Sequence, residues 1–354
     1  MPGGRLGRLE ERVTRICARA QDPIDLLAAV AAEVRNAIAY VAAGWLLTDP
    51  DTLLLTGVHA ENVSRAQHLA LIECELTTDD VNKFVDLARR EVPAASLSAA
   101  TGGDLSRSAR WSKVYRPNGY GDEMRGVFSS GAATWGHFCL TRGATDPFFT
   151  DDEVAVMAKL CPHVGNAIRA CLQLTGQPGP TVPGPAALLI LADDGTVEST
   201  TPQVTEWLGP VDDERLETAI VLHEVAHQAR VLAEHGAGEP ALARTRSRSG
   251  DWLVVRGIRL DADGSGTGRT AVVLEQARRS DIAPLLVHLH QLTRREKEIT
   301  QLLLTGMSTR DIAAALWITS ETLRGHIKAI FAKLGVNSRP ELAALLSQDL
   351  VVRR

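Results

Sequence analysis

The stretch STRDIAAALWITSETLRGHIKAIFAKL, residues 308–334, predicts two short helices separated by only a few residues. The first begins after Ser308 and the second at Thr319 or Ser320, because a hydroxyl at these positions can accept a hydrogen bond from an otherwise unpaired backbone amide. Each helix carries an apolar stripe, which indicates that the two pack together. The second helix also carries two cations, Arg324 and Lys328.

The flanking sequence predicts two further helices. The helix-start pattern Ser/Thr-x-x-Glu/Asp occurs three times, and we predict structural caps at Thr293 with Glu296, Ser308 with Asp311, and Ser338 with Glu341. Helices are therefore expected to begin near residues 294, 309, 321 and 339, with C-terminal caps at Gly306 and Gly335. Such short amphipathic helices are not stable alone, but four can bury their apolar stripes together.

The third of these helices has two chemically different faces. Its apolar residues cluster within a narrow arc, and the residues roughly opposite them are Glu321, Arg324, Gly325, Lys328 and Ala332. Arginine and lysine can donate hydrogen bonds to guanine or to phosphates. A glycine inside a helix costs about 1 kcal/mol relative to alanine, and close approach to a base edge is one reason to tolerate it. This face is typical of a helix that enters the DNA major groove.

The charge distribution agrees with that interpretation. The chain of 354 residues has a net charge of −5, but residues 288–354 hold 10 Lys and Arg against 6 Asp and Glu. A basic end on an acidic body indicates a DNA-binding module joined to something else.

Residues 292–342 read LTRREKEITQLLLTGMSTRDIAAALWITSETLRGHIKAIFAKLGVNSRPEL. This stretch resembles the LuxR-type (NarL/FixJ) helix-turn-helix domain. The resemblance implies an all-α four-helix domain, over 291–354, whose third helix contacts the major groove and whose fourth often supports dimerisation. Trp317 is a less usual residue in the turn. The expected partners are double-stranded DNA and a second copy of the chain. The expected DNA-binding residues are Arg324, Gly325, Lys328, Glu321, Thr322, Arg310, Lys333 and Arg339.

The N-terminal part predicts an α+β domain preceded by a helix over 1–19. Residues 20–172 resemble a GAF domain: an opening helix, a hairpin turning at 49–51, a loop-rich middle, and the closing stretch WGHFCLTRGATDPFFTDDEVAVMAKLCPHVGNAI at 135–168. Trp45, Trp135 and Phe138 are expected in its core, whereas Trp111, Tyr115 and Tyr120 are candidates for lining a pocket.

A second α+β domain follows a linker. Residues 173–185, QLTGQPGPTVPGP, are rich in Gly and Pro, and 277–290 form a connector to the helix-turn-helix domain. Residues 186–276 resemble a small PAS-type sensor: a hairpin, short helices, then three strands, the last two joined by the Gly-rich turn 261–268. The expected fold class is therefore multidomain. Either resemblance implies a domain that holds a small-molecule ligand or mediates dimerisation.

An alternative interpretation rests on HEVAH at residues 223–227, which matches the HExxH zinc signature. It would make the chain a zinc-dependent hydrolase with His223 and His227 as ligands and Glu224 as base. On a helical wheel, however, the two histidines share a polar side with Arg230, which we expect to face solvent, and no third ligand is specified. His137 with Cys139, and Cys161 with His163, could suggest another metal site but are interpreted as ordinary packing residues.

We therefore predict a dimeric, one-component transcription regulator whose sensor domains control its DNA-binding domain. The N-terminal half lacks the alternating strands and helices of a phosphorylated receiver domain. No enzyme activity, cofactor or metal is expected, and the scattered cysteines and lack of a membrane-spanning run favour a cytoplasmic protein. The zinc hydrolase and an interaction adaptor that never engages DNA stay open as alternatives.

Overall fold

The computed structural model describes residues 3–174, 184–211, 216–235, 241–260 and 268–346. The chain divides into two compact units, one comprising Met1–Gly176 and Gly184–Gln276 and the other Gln177–Pro183 and Ala277–Arg354. Most of the predicted linker, nearly all of the predicted turn at 261–268, and the last eight residues of the predicted C-terminal domain lie outside the described residues.

The first unit contains a five-stranded antiparallel sheet. Its strands are β1 (Ala42–Thr48), β2 (Leu55–Glu61), β3 (Ala94–Ser96), β4 (Tyr120–Ser130) and β5 (Ala133–Gly143), and their spatial order is β2-β1-β5-β4-β3. The accompanying helices are α1 (Gly3–Cys17), α2 (Pro23–Ala37), α3 (Arg65–Thr77), α4 (Phe84–Leu87), α5 (Leu97–Thr101) and α6 (Asp151–Leu174). The predicted hairpin at 49–51 joins β1 to β2.

Aromatic residues fill the core of this sheet. Trp45, Trp135 and Phe138 are fully buried, as predicted, and the rings of Trp45 and Phe138 stack with centroids 5.6 Å apart. Helix α6 crosses β4 so closely that a Cβ at Gly165 would lie 2.4 Å from the Ser129 carbonyl oxygen. A side chain at this position would therefore force the helix away from the sheet.

The predicted pocket aromatics instead pack together. Tyr115 is buried and donates a hydrogen bond to Glu123 Oε1 at 2.5 Å, and Trp111 and Tyr120 pack on the same cluster. Cys161 and His163, which could have suggested a metal site, lie in different environments: Cys161 is buried and His163 is exposed.

A second five-stranded antiparallel sheet lies in the same unit. Its strands are β6 (Ala187–Ala192), β7 (Val197–Thr200), β8 (Ala241–Arg246), β9 (Trp252–Leu260) and β10 (Arg269–Gln276), in the order β7-β6-β10-β9-β8. Its helices are α7 (Pro202–Leu208) and α8 (Leu216–Glu234). One face of α8 packs on the sheet through Leu222, Val225 and Ala229.

The opposite face of α8 packs against strand β2 of the first sheet and against helix α3. A buried ion pair joins the same regions, since Arg244 Nη1 lies 2.9 Å from Asp49 Oδ2. Thr245 Oγ1 donates to the Thr56 carbonyl oxygen at 3.1 Å. The prediction that His223 faces solvent is therefore wrong: its side chain is 4% exposed, because a neighbouring layer that a helical wheel cannot represent covers it.

The second unit is helical in its described part. Its helices are α9 (Arg279–Leu289), α10 (Arg294–Leu304), α11 (Thr309–Ala315), α12 (Ser320–Leu334) and α13 (Arg339–Leu346), so the segment predicted as a connector contains a helix. Helix α9 packs against α13. The apolar stripes meet in a common core formed by Ile299, Leu303, Ile312, Leu323, Ile330, Leu334, Leu342 and Leu346.

Candidate nucleic-acid interface

Helix α12 presents a cationic face to solvent. Arg324, Gly325 and Lys328 are exposed, whereas Leu323 and Ile330 on the other side of the helix are fully buried. Arg324 and Lys328 also border a concave surface, whose other lining residues are Thr309, Ile327, Phe331, Ala332, Val336 and Asn337. The exposed guanidinium and ammonium groups can therefore reach a ligand without any rearrangement of the helix.

Gly325 has space around it. A Cβ built at this position would meet no described atom of the chain within 4 Å. Since an interior helical glycine is destabilising relative to alanine, packing inside this unit does not explain the residue. Its effect is to leave the backbone of α12 bare between the two cations.

Capping interactions fix where the helices begin. Thr293 Oγ1 accepts from the Glu296 amide at 3.2 Å, while Glu296 Oε2 accepts from the Thr293 amide at 2.7 Å. Ser308 accepts from the Asp311 amide at 3.2 Å, and Ser338 accepts from the Glu341 amide at 3.3 Å. Each cap satisfies amides that the helix itself leaves unpaired.

The turn between α11 and α12 adopts a tight conformation. Trp317 has a φ of 55°, in the left-handed region, and the Ile318 amide donates to the Ala313 carbonyl oxygen at 3.0 Å. The indole of Trp317 is 95% exposed. Arg295 Nη2 donates to the Leu316 carbonyl oxygen at 2.7 Å, which ties α10 to this turn. The sequence carries no signal for this last contact.

The other predicted DNA-binding residues fall into two groups. Arg310, Glu321 and Thr322 are exposed. Lys333 instead pairs with Glu296 at 2.6 Å, and Arg339 Nε donates to the Leu303 carbonyl oxygen at 3.0 Å. Burial alone would raise the pKa of Glu296, but hydrogen bonds from Lys333 and Thr293 hold it below its usual value. Lys333 and Arg339 thus hold the helices together in this unit.

The HExxH segment does not assemble a catalytic constellation. His227 Nε2 lies 3.0 Å from Glu73 Oε2, and Arg230 also pairs with Glu73. Glu224 is buried on the side of α8 that faces the first sheet, near Leu55. Among the described residues, no group of three or more His, Cys, Asp or Glu side chains could hold a metal ion.

A family model described as "Bacterial regulatory proteins, luxR family" matches residues 290–346. The spore germination protein GerE of Bacillus subtilis is 42% identical over 50 residues, which cover 14% of this chain and 68% of GerE. A "Probable HTH-type transcriptional regulator GfsR" of Streptomyces halstedii is 34% identical over 125 residues, covering 35% of this chain and 45% of that protein. The transcriptional regulatory protein DegU of Brevibacillus brevis is 45% identical over 53 residues, covering 15% and 22%. The chain therefore spans less than half the length of the last two relatives.

Among solved structures, the Vibrio cholera VqmA–ligand–DNA complex matches 47% of this chain and 84% of its own with 19% identity and a TM-score of 0.26. Among the described residues, no helix combines the length and apolar character needed to cross a membrane. The family model covers the capped helices and the exposed face of α12. With the GerE match, it shows that the chain belongs to the luxR family of bacterial regulatory proteins.

Proposed function

We propose that this chain is a dimeric, sequence-specific DNA-binding transcription regulator whose recognition helix is α12. The observation that carries the proposal is the exposed pair Arg324 and Lys328, with the bare backbone of Gly325 between them. In a helix-turn-helix protein, a helix placed in the major groove contacts base edges through such side chains. Arg324 and Lys328 would bind guanine or phosphate oxygens, with Arg310, Glu321 and Thr322 at the margin of the interface.

We propose further that the two sheets of the first unit are sensor domains, GAF-like over 20–172 and PAS-like over 186–276. When the strands of each sheet are numbered one to five along the chain, both sheets have the spatial order 2-1-5-4-3. The second sheet's region consists of a hairpin, helices and three antiparallel strands. These features support the assignment. A signal received there would change how two copies of the chain place their recognition helices on a two-fold DNA site.

Selection from genomic DNA tests this function. Purified protein is incubated with sheared genomic DNA at about 150 mM salt, where specific binding still exceeds non-specific binding, and the retained fragments are sequenced. The proposal predicts enrichment of discrete sites with approximate two-fold symmetry. A folded wild-type protein that enriches nothing would favour the interaction adaptor instead.

A further inference from the structure

A cavity of about 340 Å³ lies inside the first unit, between the first sheet and α8. One wall is formed by the sheet through Leu46, Leu55, His137 and Cys139. Helices α3 and α4 close the sides, and α8 contributes Glu224, Gln228 and Val231. The volume is at the lower end of the range found for small-molecule sites, and most of the lining is apolar, as in such sites.

Two buried polar atoms at this cavity have no hydrogen-bond partner among the described residues. They are Glu224 Oε2 and His68 Nε2, on side chains that are only 5% and 6% exposed. Buried side-chain polar atoms are normally paired, because they have given up their hydrogen bonds to water. Two such atoms on the wall of one cavity indicate that something else supplies their partners.

Both of these groups are neutral near pH 7. Burial and the nearby Glu75 raise the pKa of Glu224 to about 8, against a smaller opposite effect of the Leu55 backbone. Burial and the nearby His223 lower the pKa of His68 to about 4.

Besides Glu224, the charged side chains that line the cavity are Glu75, Arg125 and Lys83, and each already has a partner. Arg125 Nε lies 2.7 Å from Glu123 Oε1, and its Nη1 lies 2.7 Å from Glu75 Oε2. Lys83 Nζ donates to the Thr78 carbonyl oxygen at 3.0 Å. A charged ligand would therefore lose its hydration at a wall where Glu75 and Arg125 neutralise each other and Lys83 is already hydrogen-bonded.

We propose that this cavity binds a neutral small molecule with a mainly apolar body and one or two hydroxyl or amide groups, which hydrogen-bond to Glu224 and His68. The proposal rests on the proposed function, in which the first unit is the sensor. It adds that the site is shared, since His68 belongs to the first sheet's domain and Glu224 to a helix packed on the second sheet. Binding would thus strengthen the connection between the two sheets.

Three matched probes test this chemistry by titration calorimetry on the full chain. The probe p-cresol has an aromatic body with one hydroxyl, toluene lacks the hydroxyl, and 4-hydroxybenzoate adds a charge. We expect p-cresol to bind in the millimolar range and roughly 3–10 times more tightly than toluene, the gain of one net hydrogen bond. We expect 4-hydroxybenzoate to bind more weakly than p-cresol.

Two variants of Glu224 and one control at Arg324 assign the binding preference to this cavity. Glu224→Gln keeps a neutral hydrogen-bonding group and should retain the preference for p-cresol, whereas Glu224→Leu should abolish the preference and leave toluene binding. Arg324→Ala changes only the exposed face of α12 and should bind all three probes as the wild type does. If Glu224→Leu fails to fold, the ratio of p-cresol to toluene binding in the wild type still tests the proposal.

The proposal is overturned if p-cresol does not bind, binds no tighter than toluene, or binds more weakly than 4-hydroxybenzoate. It is also overturned if the preference survives Glu224→Leu. These titrations contain no DNA, so a failure of the DNA selection leaves their result unchanged and the two failures are distinguishable.

Discussion

Lys333 Nζ lies 2.6 Å from Glu296 Oε2 and also donates to the Gln291 carbonyl oxygen at 3.2 Å. Glu296 caps α10, whereas Lys333 lies in the last turn of α12. One cation therefore connects the start of α10 with the end of α12. This connection, together with the packing of Leu323 and Ile330, fixes how the exposed face of α12 is presented.

Replacing Lys333 should weaken the second unit. The variant Lys333→Met keeps the apolar stem but leaves the buried Glu296 carboxylate without its ion-pair partner, so we expect a loss of about 1–2 kcal/mol in the free energy of unfolding. Denaturant unfolding of the full chain measures it. Lys328→Met removes an exposed lysine from the same helix and should change stability by less than about 0.5 kcal/mol; equal effects of the two variants would contradict the account.

Gly325→Ala should move stability and DNA affinity in opposite directions. An added methyl group meets no described atom of the chain, so the helix should gain about 0.5–1 kcal/mol of stability. If α12 approaches the DNA backbone or bases at this position, affinity should fall by roughly tenfold, about 1.4 kcal/mol. Fluorescence anisotropy with a selected DNA site measures affinity, and thermal unfolding measures stability.

Gly7→Ala is the matched control for that substitution. Gly7 lies within α1, where an added Cβ also meets no described atom. It should likewise stabilise its helix while leaving DNA affinity unchanged. Unchanged affinity in Gly325→Ala would show that the glycine is not needed for DNA contact.

The helical unit was more predictable than the first unit because its signals are local. Caps such as Thr293 with Glu296 lie three residues apart, and apolar periodicity marks each helix. The burial of His223 and the position of Glu224 depend instead on α3, more than 140 residues earlier in the chain. A helical wheel shows which residues share a face, but it does not show what covers that face.

The ion pair between the two sheets was equally hidden from sequence analysis, since the pattern at Asp49 predicts only a turn and Arg244 lies in no motif. Arg244→Ala should cost about 3–5 kcal/mol, because it leaves the fully buried Asp49 unpaired. In a double-mutant cycle, Arg244→Ala with Asp49→Ala should cost clearly less than the sum of the single changes.

The exposed pair of Arg12 with Glu33, 3.0 Å apart, provides the control for that cycle. Its coupling energy should lie below about 1 kcal/mol, because solvent screens both charges. Additive effects of Asp49 and Arg244 would show that the pair does not hold the two sheets together.

Glu224 should make stability depend on pH. Its pKa is raised to about 8 in the folded protein, above the ordinary value of 4.5, so folding is favoured by the protonated carboxyl group. This contribution is fully present below pH 4.5 and is lost as pH rises to about 8. Glu224→Gln keeps the neutral form at every pH.

We therefore expect the unfolding temperature of Glu224→Gln, relative to the wild type, to increase steadily between pH 5 and pH 8. Scanning calorimetry across this range measures the difference, and Lys328→Met serves as a control that should show no such trend. A difference that is constant with pH would mean that Glu224 is ionised throughout and that its neutral state is wrongly assigned.

Whether α12 contacts DNA is best tested by the salt dependence of DNA binding by Arg324→Ala/Lys328→Ala, measured by anisotropy on an enriched genomic site. We expect at least a tenfold loss of affinity, and a slope of log affinity against log salt that is shallower by about 1–2 than in the wild type. Arg89→Ala/Arg294→Ala removes two other exposed arginines and should leave both quantities nearly unchanged. Wild-type affinity and slope in Arg324→Ala/Lys328→Ala would show that this face of α12 does not contact DNA.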